Sequence, residues 1–264
     1  MKISSFYHEL VNRNKLLAYV GLVHLMLFII FLGLSLVDTR TVLGINTWIK
    51  PMKFALSIWI YLWTIGWYLH YLRDNKRSVR FISWSIAISM MVEMVCISSQ
   101  AARGVHSHFN TTTAYDGMIF SMMGNFIAIN TLLLIFATIL FFVKKPDLPA
   151  AYLWGIRIGL LLLLFSSAIG GMMIGNNAHS IGVADGGAGL PFVNWSREGG
   201  DLRIAHFIGI HGLQAIPLFA FLLEKYEIHR QTIWTALFAL LYAGITGFLF
   251  WQAIDGRPLM MGME

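Results

Sequence analysis

The feature that most restricts this chain is a succession of seven apolar runs, each long enough to cross the hydrocarbon core of a bilayer. A spanning helix needs about 20 residues at about 1.5 Å each. Runs of that kind lie at residues 16–37, 52–71, 81–102, 117–143, 150–174, 201–223 and 232–254. In hydrocarbon every backbone N–H and C=O must be satisfied within the segment, so such runs form helices. The expected fold is all-α: a polytopic membrane protein with seven transmembrane helices, one integral membrane domain over residues 1–264. Only 12% of the residues are charged, against about 25% in a soluble domain.

The net charge of +6 does not point to nucleic acid, because the basic residues sit between the apolar runs in no single patch. They read better as orientation signals. Lys2, Arg13, Lys15, Arg73, Lys76, Arg77, Arg80, Lys144, Lys145, Arg157, Lys225 and Arg230 fall on one side. Arg40, Lys50, Lys53, Arg103, Arg197, Arg203 and Arg257 fall on the other. The bias places the N-terminus in the cytoplasm and the C-terminus outside. The first apolar run is too long for a signal-peptide core and reads as a retained helix; the polar first 15 residues precede it. The single cysteine, Cys96, rules out a disulfide within the chain.

With this orientation the long loops, residues 103–116 and 175–200, are extracytoplasmic. Long structured connections between tight spans tend to carry function. Histidine, glutamine and carboxylate side chains inside spans are costly, so they are functional candidates facing a protein interior. The third span carries Ser89, Glu93, Cys96 and Gln100 at helical offsets that put all four on one face, with Arg103 continuing the line. Glu93, deep in its span, must be protonated or paired. The stretch GDLRIAHFIGIHGLQAIPL, residues 200–218, carries His206, His211 and Gln214.

Depth suggests partners. Glu93 precedes Arg103 by ten residues and His211 follows Asp201 by ten, so both lie roughly 15 Å below the outer surface. If the third and sixth spans adjoin, a Glu93/His211 layer lies beneath a Gln100/His206 layer. His206 and His211 are five residues apart, so they diverge by about 140° and do not share one ion on an unbroken helix. Gly209 and Gly212 leave flat ground where a ring system or another helix can lie. Gly171 and Gly175 form a small-xxx-small face for helix packing, and Asn125 and Asn130 make the fourth span polar inside. His106 and His108 form an alternating HSH pair that suits copper or zinc. His24, mid-membrane, suits an axial ligand; His179 ends the fifth span, and His8, His70 and His229 read as interface or solvent residues. Each buried histidine also fits a plain hydrogen-bonded packing role.

The strings WIKPMKFALS, RGVHSHFN and GDLRIAHFIGIHGLQAIPL resemble those of a group of bacterial polytopic membrane proteins, over most of the chain from the second span to the sixth. The resemblance implies a bacterial cytoplasmic-membrane setting and carries no activity with it. Two better-known seven-helix groups fit badly. The last span has no lysine for a retinal Schiff base, and no histidine pair like that of the membrane zinc hydrolases similar to alkaline ceramidases.

Three functions compete. The first is redox chemistry: haem b or copper near the outer face, with quinol as an electron partner. Here His206 or His211 is one ligand; His24, His106 or His108 is the other; Gln214 flanks the cofactor. Glu93 carries protons or holds a ligating side chain in place, and Gln100 stands with Glu93 and His211 among the catalytic candidates. The second is zinc-dependent hydrolysis, with His106, His108, His206 or His179 on the metal and Glu93 or Asp201 as base. The third is proton-linked transport or sensing at Glu93 and His211, without chemistry. Lipid and other membrane subunits are the remaining expected partners.

Overall fold

The computed structural model describes residues 3–144, 146–187 and 189–259. Lys2 and Lys145, two of the lysines counted for orientation, lie outside the described residues. Eight helices occur among the described residues: α1 Ile3–Arg13, α2 Lys15–Val37, α3 Ile49–Leu69, α4 Lys76–Arg103, α5 Ala114–Val143, α6 Ala150–Asn176, α7 Leu202–Lys225 and α8 Gln231–Ile254. Two short antiparallel ribbons join them, β1 Thr41–Val42 with β2 Ile45–Asn46, and β3 Ser180–Ile181 with β4 Gly200–Asp201. The fold is all-α, as the apolar runs require.

Six helices, α2 and α4 to α8, are long and apolar enough to cross a membrane. The second expected run does form a helix, α3, but it is not one of the six. Lys50 and Lys53 lie in its first turns, and Trp59, Tyr61, Trp63, Trp67 and Tyr68 replace aliphatic residues along it. The polar leader, expected only to precede the first span, also folds, as α1. The chain divides into two compact units, residues 1–140 and 141–264.

In the first unit, Asn14 starts α2 as its N-cap. Its side-chain Oδ1 accepts from the Leu17 N–H at 3.2 Å, and its side-chain Nδ2 donates to Ser83 Oγ on α4 at 2.8 Å. Helix α1 lies on α3: Phe6 stacks on Trp67 at 5.5 Å, and the Arg13 guanidinium sits 3.9 Å above the same indole. Gly21 lets α3 approach α2, since an added Cβ would lie 2.4 Å from the Trp63 ring. The indole N–H of Trp63 then donates to the Ala18 carbonyl at 3.1 Å. Cys96 and Ile97 of α4 pack with Ile119 and Met123 of α5, against Phe54 of α3. Gly104, at φ 71°, ends α4 with the left-handed turn that glycine adopts without strain.

In the second unit, α6 and α7 meet almost backbone to backbone. A Cβ at Gly159 would lie 2.9 Å from the Gly212 carbonyl, and one at Gly155 would lie 3.0 Å from Pro217 Cα. Leu162, Ile216 and Ala239 form the core among α6, α7 and α8. One glycine expectation needs correction, and of the two occupants expected at the other it is a helix that is present. Gly171 and Gly175 face open space, and the small-xxx-small face that packs is Gly155/Gly159. The ground beside Gly209 and Gly212 is filled by helices: Ser166 of α6 and Thr246 of α8 at the first, Leu162 and Tyr242 at the second. Arg157 closes the end of α5 by donating to the Phe141 carbonyl from Nε at 3.1 Å and Nη2 at 2.9 Å.

Candidate functional site

The three histidines inside the apolar helices share one arrangement. His24 Nδ1 lies 2.8 Å from the Val20 carbonyl, His206 Nδ1 2.7 Å from that of Ser166, and His211 Nδ1 2.6 Å from that of Phe207. A carbonyl oxygen only accepts. Nδ1 therefore carries the hydrogen, and when such a ring is neutral its Nε2 presents a lone pair. Ligating histidines are oriented in this way, by a hydrogen bond from the nitrogen that does not bind.

In the second unit, His206 reaches from α7 to α6, where its Cε1 lies 3.2 Å from the position of a Cβ on Gly170. His211 points elsewhere. Its ring packs on Phe207 at 4.3 Å, and Phe207 packs on Trp195 at 5.7 Å. His179 and His211 both lie within electrostatic range of His206. The His179 ring is held by Asp185, whose Oδ2 accepts from Nδ1 at 2.6 Å; Asp185 also accepts the backbone N–H groups of His179 and Ser180 at 3.0 Å each. Burial works against ionising Asp185, but these donors outweigh it and hold the carboxyl well below the usual carboxylate range. Gln214 is partly buried one turn beyond His211.

Asp201, a candidate base, is fully engaged as the N-cap of α7. Its oxygens accept from the N–H groups of Arg203 at 3.0 Å and Ser196 at 2.7 Å, and from the Arg203 guanidinium. That geometry suits a structural cap.

In the first unit, Gln100 donates to Asp116 Oδ1 at 2.8 Å and accepts from Arg103 Nη1 at 2.5 Å. Asp116, buried at the start of α5, binds Arg103 at 2.5 Å and the Thr113 hydroxyl at 2.6 Å. The sequence reading passed over Asp116. The signal was Thr113-Ala-Tyr-Asp116, a Thr followed three residues later by an acid, which is a capping-box pattern; the Asp116 N–H duly donates to Thr113 Oγ1 at 3.1 Å. The HSH pair divides. The His106 side chain is exposed, whereas His108 packs among Phe54, Phe109 and Phe120 with Nδ1 3.0 Å from Ser107 Oγ. Asn130 is buried and accepts from the Tyr61 hydroxyl at 2.9 Å, while Asn125, expected inside, is exposed.

Glu93, Ser89 and His24 are buried in the first unit, at 2%, 1% and 0% exposure. Each keeps one polar atom without a hydrogen-bond partner: Glu93 Oε2, Ser89 Oγ and His24 Nε2. An orphaned buried group costs about 1–3 kcal/mol. Lys50 is within electrostatic range of Glu93. Of the expected site residues, Glu93, Gln100, His24, His106 and His108 belong to the first unit and His206, His211 and Gln214 to the second. Among the described residues, no three or more His, Cys, Asp or Glu side chains gather closely enough to hold a metal ion. The chain matches no known family, no curated protein and no solved structure.

Proposed function

We propose that this is a seven-span protein of the bacterial cytoplasmic membrane, with its N-terminus inside, that binds haem b through His206 and exchanges electrons with quinol. The observation that carries the reading is the 2.7 Å bond from His206 Nδ1 to the Ser166 carbonyl. It fixes the ring on a neighbouring helix and leaves the Nε2 lone pair as the donor that would hold a haem iron. His211, on another face of α7, then serves the quinol or a proton. Haem suits the second unit better than copper or zinc. A haem iron takes one or two protein ligands, whereas copper and zinc centres take about three or four. The flat ground for the ring system is the open face at Gly171 and Gly175, next to the Gly170 that His206 touches.

Helix α3 is the seventh span in this reading. Its 21 residues rise about 31 Å, enough for the bilayer core. Its tryptophans and tyrosines are compatible with a helix buried by α1, α2 and α4. The test is iron analysis and an absorption spectrum of the purified protein. A Soret band with about one iron per chain is expected, lost in His206→Ala and kept in His229→Ala. Folded protein that is colourless and metal-free would remove the reading. Zinc or copper without a Soret band would remove the haem.

A further inference from the structure

We propose that His24, Ser89 and Glu93 form an intramembrane proton-binding site inside the first unit, separate from the histidines of the second. Three observations converge on it. All three side chains are buried beyond nine-tenths, and each has one polar atom that nothing in the structure satisfies. Ser89 and Glu93 are four residues apart on α4, so they stack on one face of the helix. The His24 ring, on α2, interacts with the backbone of Met90, which lies between them.

The chemistry of the orphaned atoms is complementary. The Nδ1–H of His24 is committed to the Val20 carbonyl, so Nε2 is an acceptor in search of a donor. A protonated Glu93 supplies an O–H, and the Ser89 hydroxyl supplies another to the carboxyl. The proton has two resting places. It sits on Glu93 beside a neutral His24, or it moves to Nε2 and leaves a carboxylate beside an imidazolium. In the second state the new N–H is received by Glu93 and lies near the Met90 carbonyl. One proton moves, one O–H bond breaks, one N–H bond forms, and no electron changes hands. Lys50, at the start of α3, and the Cys96 thiol, one turn above, are the titratable groups that interact with Glu93 electrostatically.

The sequence pointed to Glu93 but not to this partner. Depth matching alone pairs Glu93 with His211, and position alone suits His24 to an axial ligand. The site does not depend on haem in the second unit, so the two readings fail separately.

The test is infrared difference spectroscopy of the full-length protein in lipid, titrated with pH in H₂O and D₂O. The expected signal is a carboxylic C=O band that titrates with pH, shifts in D₂O and is lost in Glu93→Gln. In His24→Gln its midpoint should move by about one pH unit or more. Ser89→Ala should shift the band frequency, which serves if Glu93→Gln does not fold. A missing band, a band that survives Glu93→Gln, or a midpoint indifferent to His24→Gln overturns the proposal. So does a band abolished by sodium ions at constant pH, which would make the site a cation site.

Discussion

Ser166 on α6 occupies the space that a side chain at Gly209 on α7 would need. An added Cβ at Gly209 would lie 1.9 Å from the Ser166 hydroxyl oxygen, and the carbonyl of the same serine receives His206. The absent side chain and the histidine's orientation are thus coupled through one residue. Gly209→Ala is expected to push α6 and α7 apart, costing about 1–3 kcal/mol from overpacking, and to weaken haem binding with it. Gly244→Ala on α8 meets nothing and should be neutral or stabilising by about 0.5–1 kcal/mol, as alanine in a helix. Thermal unfolding of both variants in detergent checks the contrast.

Asp116 ties the C-terminal end of α4 to the N-terminal end of α5 through Arg103, Gln100 and Thr113. Asp116→Asn keeps the shape and loses the charge. It should destabilise the protein by about 1–3 kcal/mol, and Thr113→Ala, which removes the cap and the hydroxyl bond to Asp116, by about 1–2 kcal/mol. A double-mutant cycle of Asp116→Asn with Arg103→Gln should show coupling; strict additivity would mean that the pair is ornamental.

Asp185 pins the start of the loop after α6, where its carboxyl is held well below the usual range by the His179 ring, the His179 backbone N–H and Ser180, against the effect of burial. A depressed folded value means that this stabilisation is present above the unfolded value of about 3.9 and is lost as pH falls below it. Limited proteolysis of the loop should be slow at neutral pH and accelerate in acid below about pH 4. Asp185→Asn should show the fast rate already at neutral pH. A rate independent of both changes would contradict the assignment.

Helix α1 is anchored by Arg13, which stacks on Trp67 and donates to Glu9 at 2.7 Å. Arg13→Ala should cost about 1 kcal/mol, read as faster protease cleavage between α1 and α2.

Much of the helical architecture was legible in the sequence because bilayer-length apolar runs leave the backbone few options. Helix α1 was not, since its 11 residues are too few and too polar to stand out, and contacts such as Phe6 and Arg13 on Trp67 of α3 hold it in place. Two five-residue glycine motifs, Gly155 to Gly159 and Gly171 to Gly175, look alike as text. Only the partner helix distinguishes the packed one from the open one. The polar stripe of α4 was readable from its spacing, and all four of its residues are buried. Their partners were not readable. Depth matching assumed that histidines must find side chains on other helices, yet His24 and His211 satisfy Nδ1 on the carbonyl four residues back in their own helix. Sequence spacing does not show which ring nitrogen is spent locally.

The central claim is that His206 holds a redox-active haem. The direct measurement is the absorption spectrum of purified protein before and after addition of a quinol. The account predicts a Soret band that shifts on reduction in the wild type and in His106→Ala, and is absent in a folded His206→Ala variant. A wild-type spectrum with no visible band after growth with ample haem, or a band that persists unchanged without His206, would contradict it.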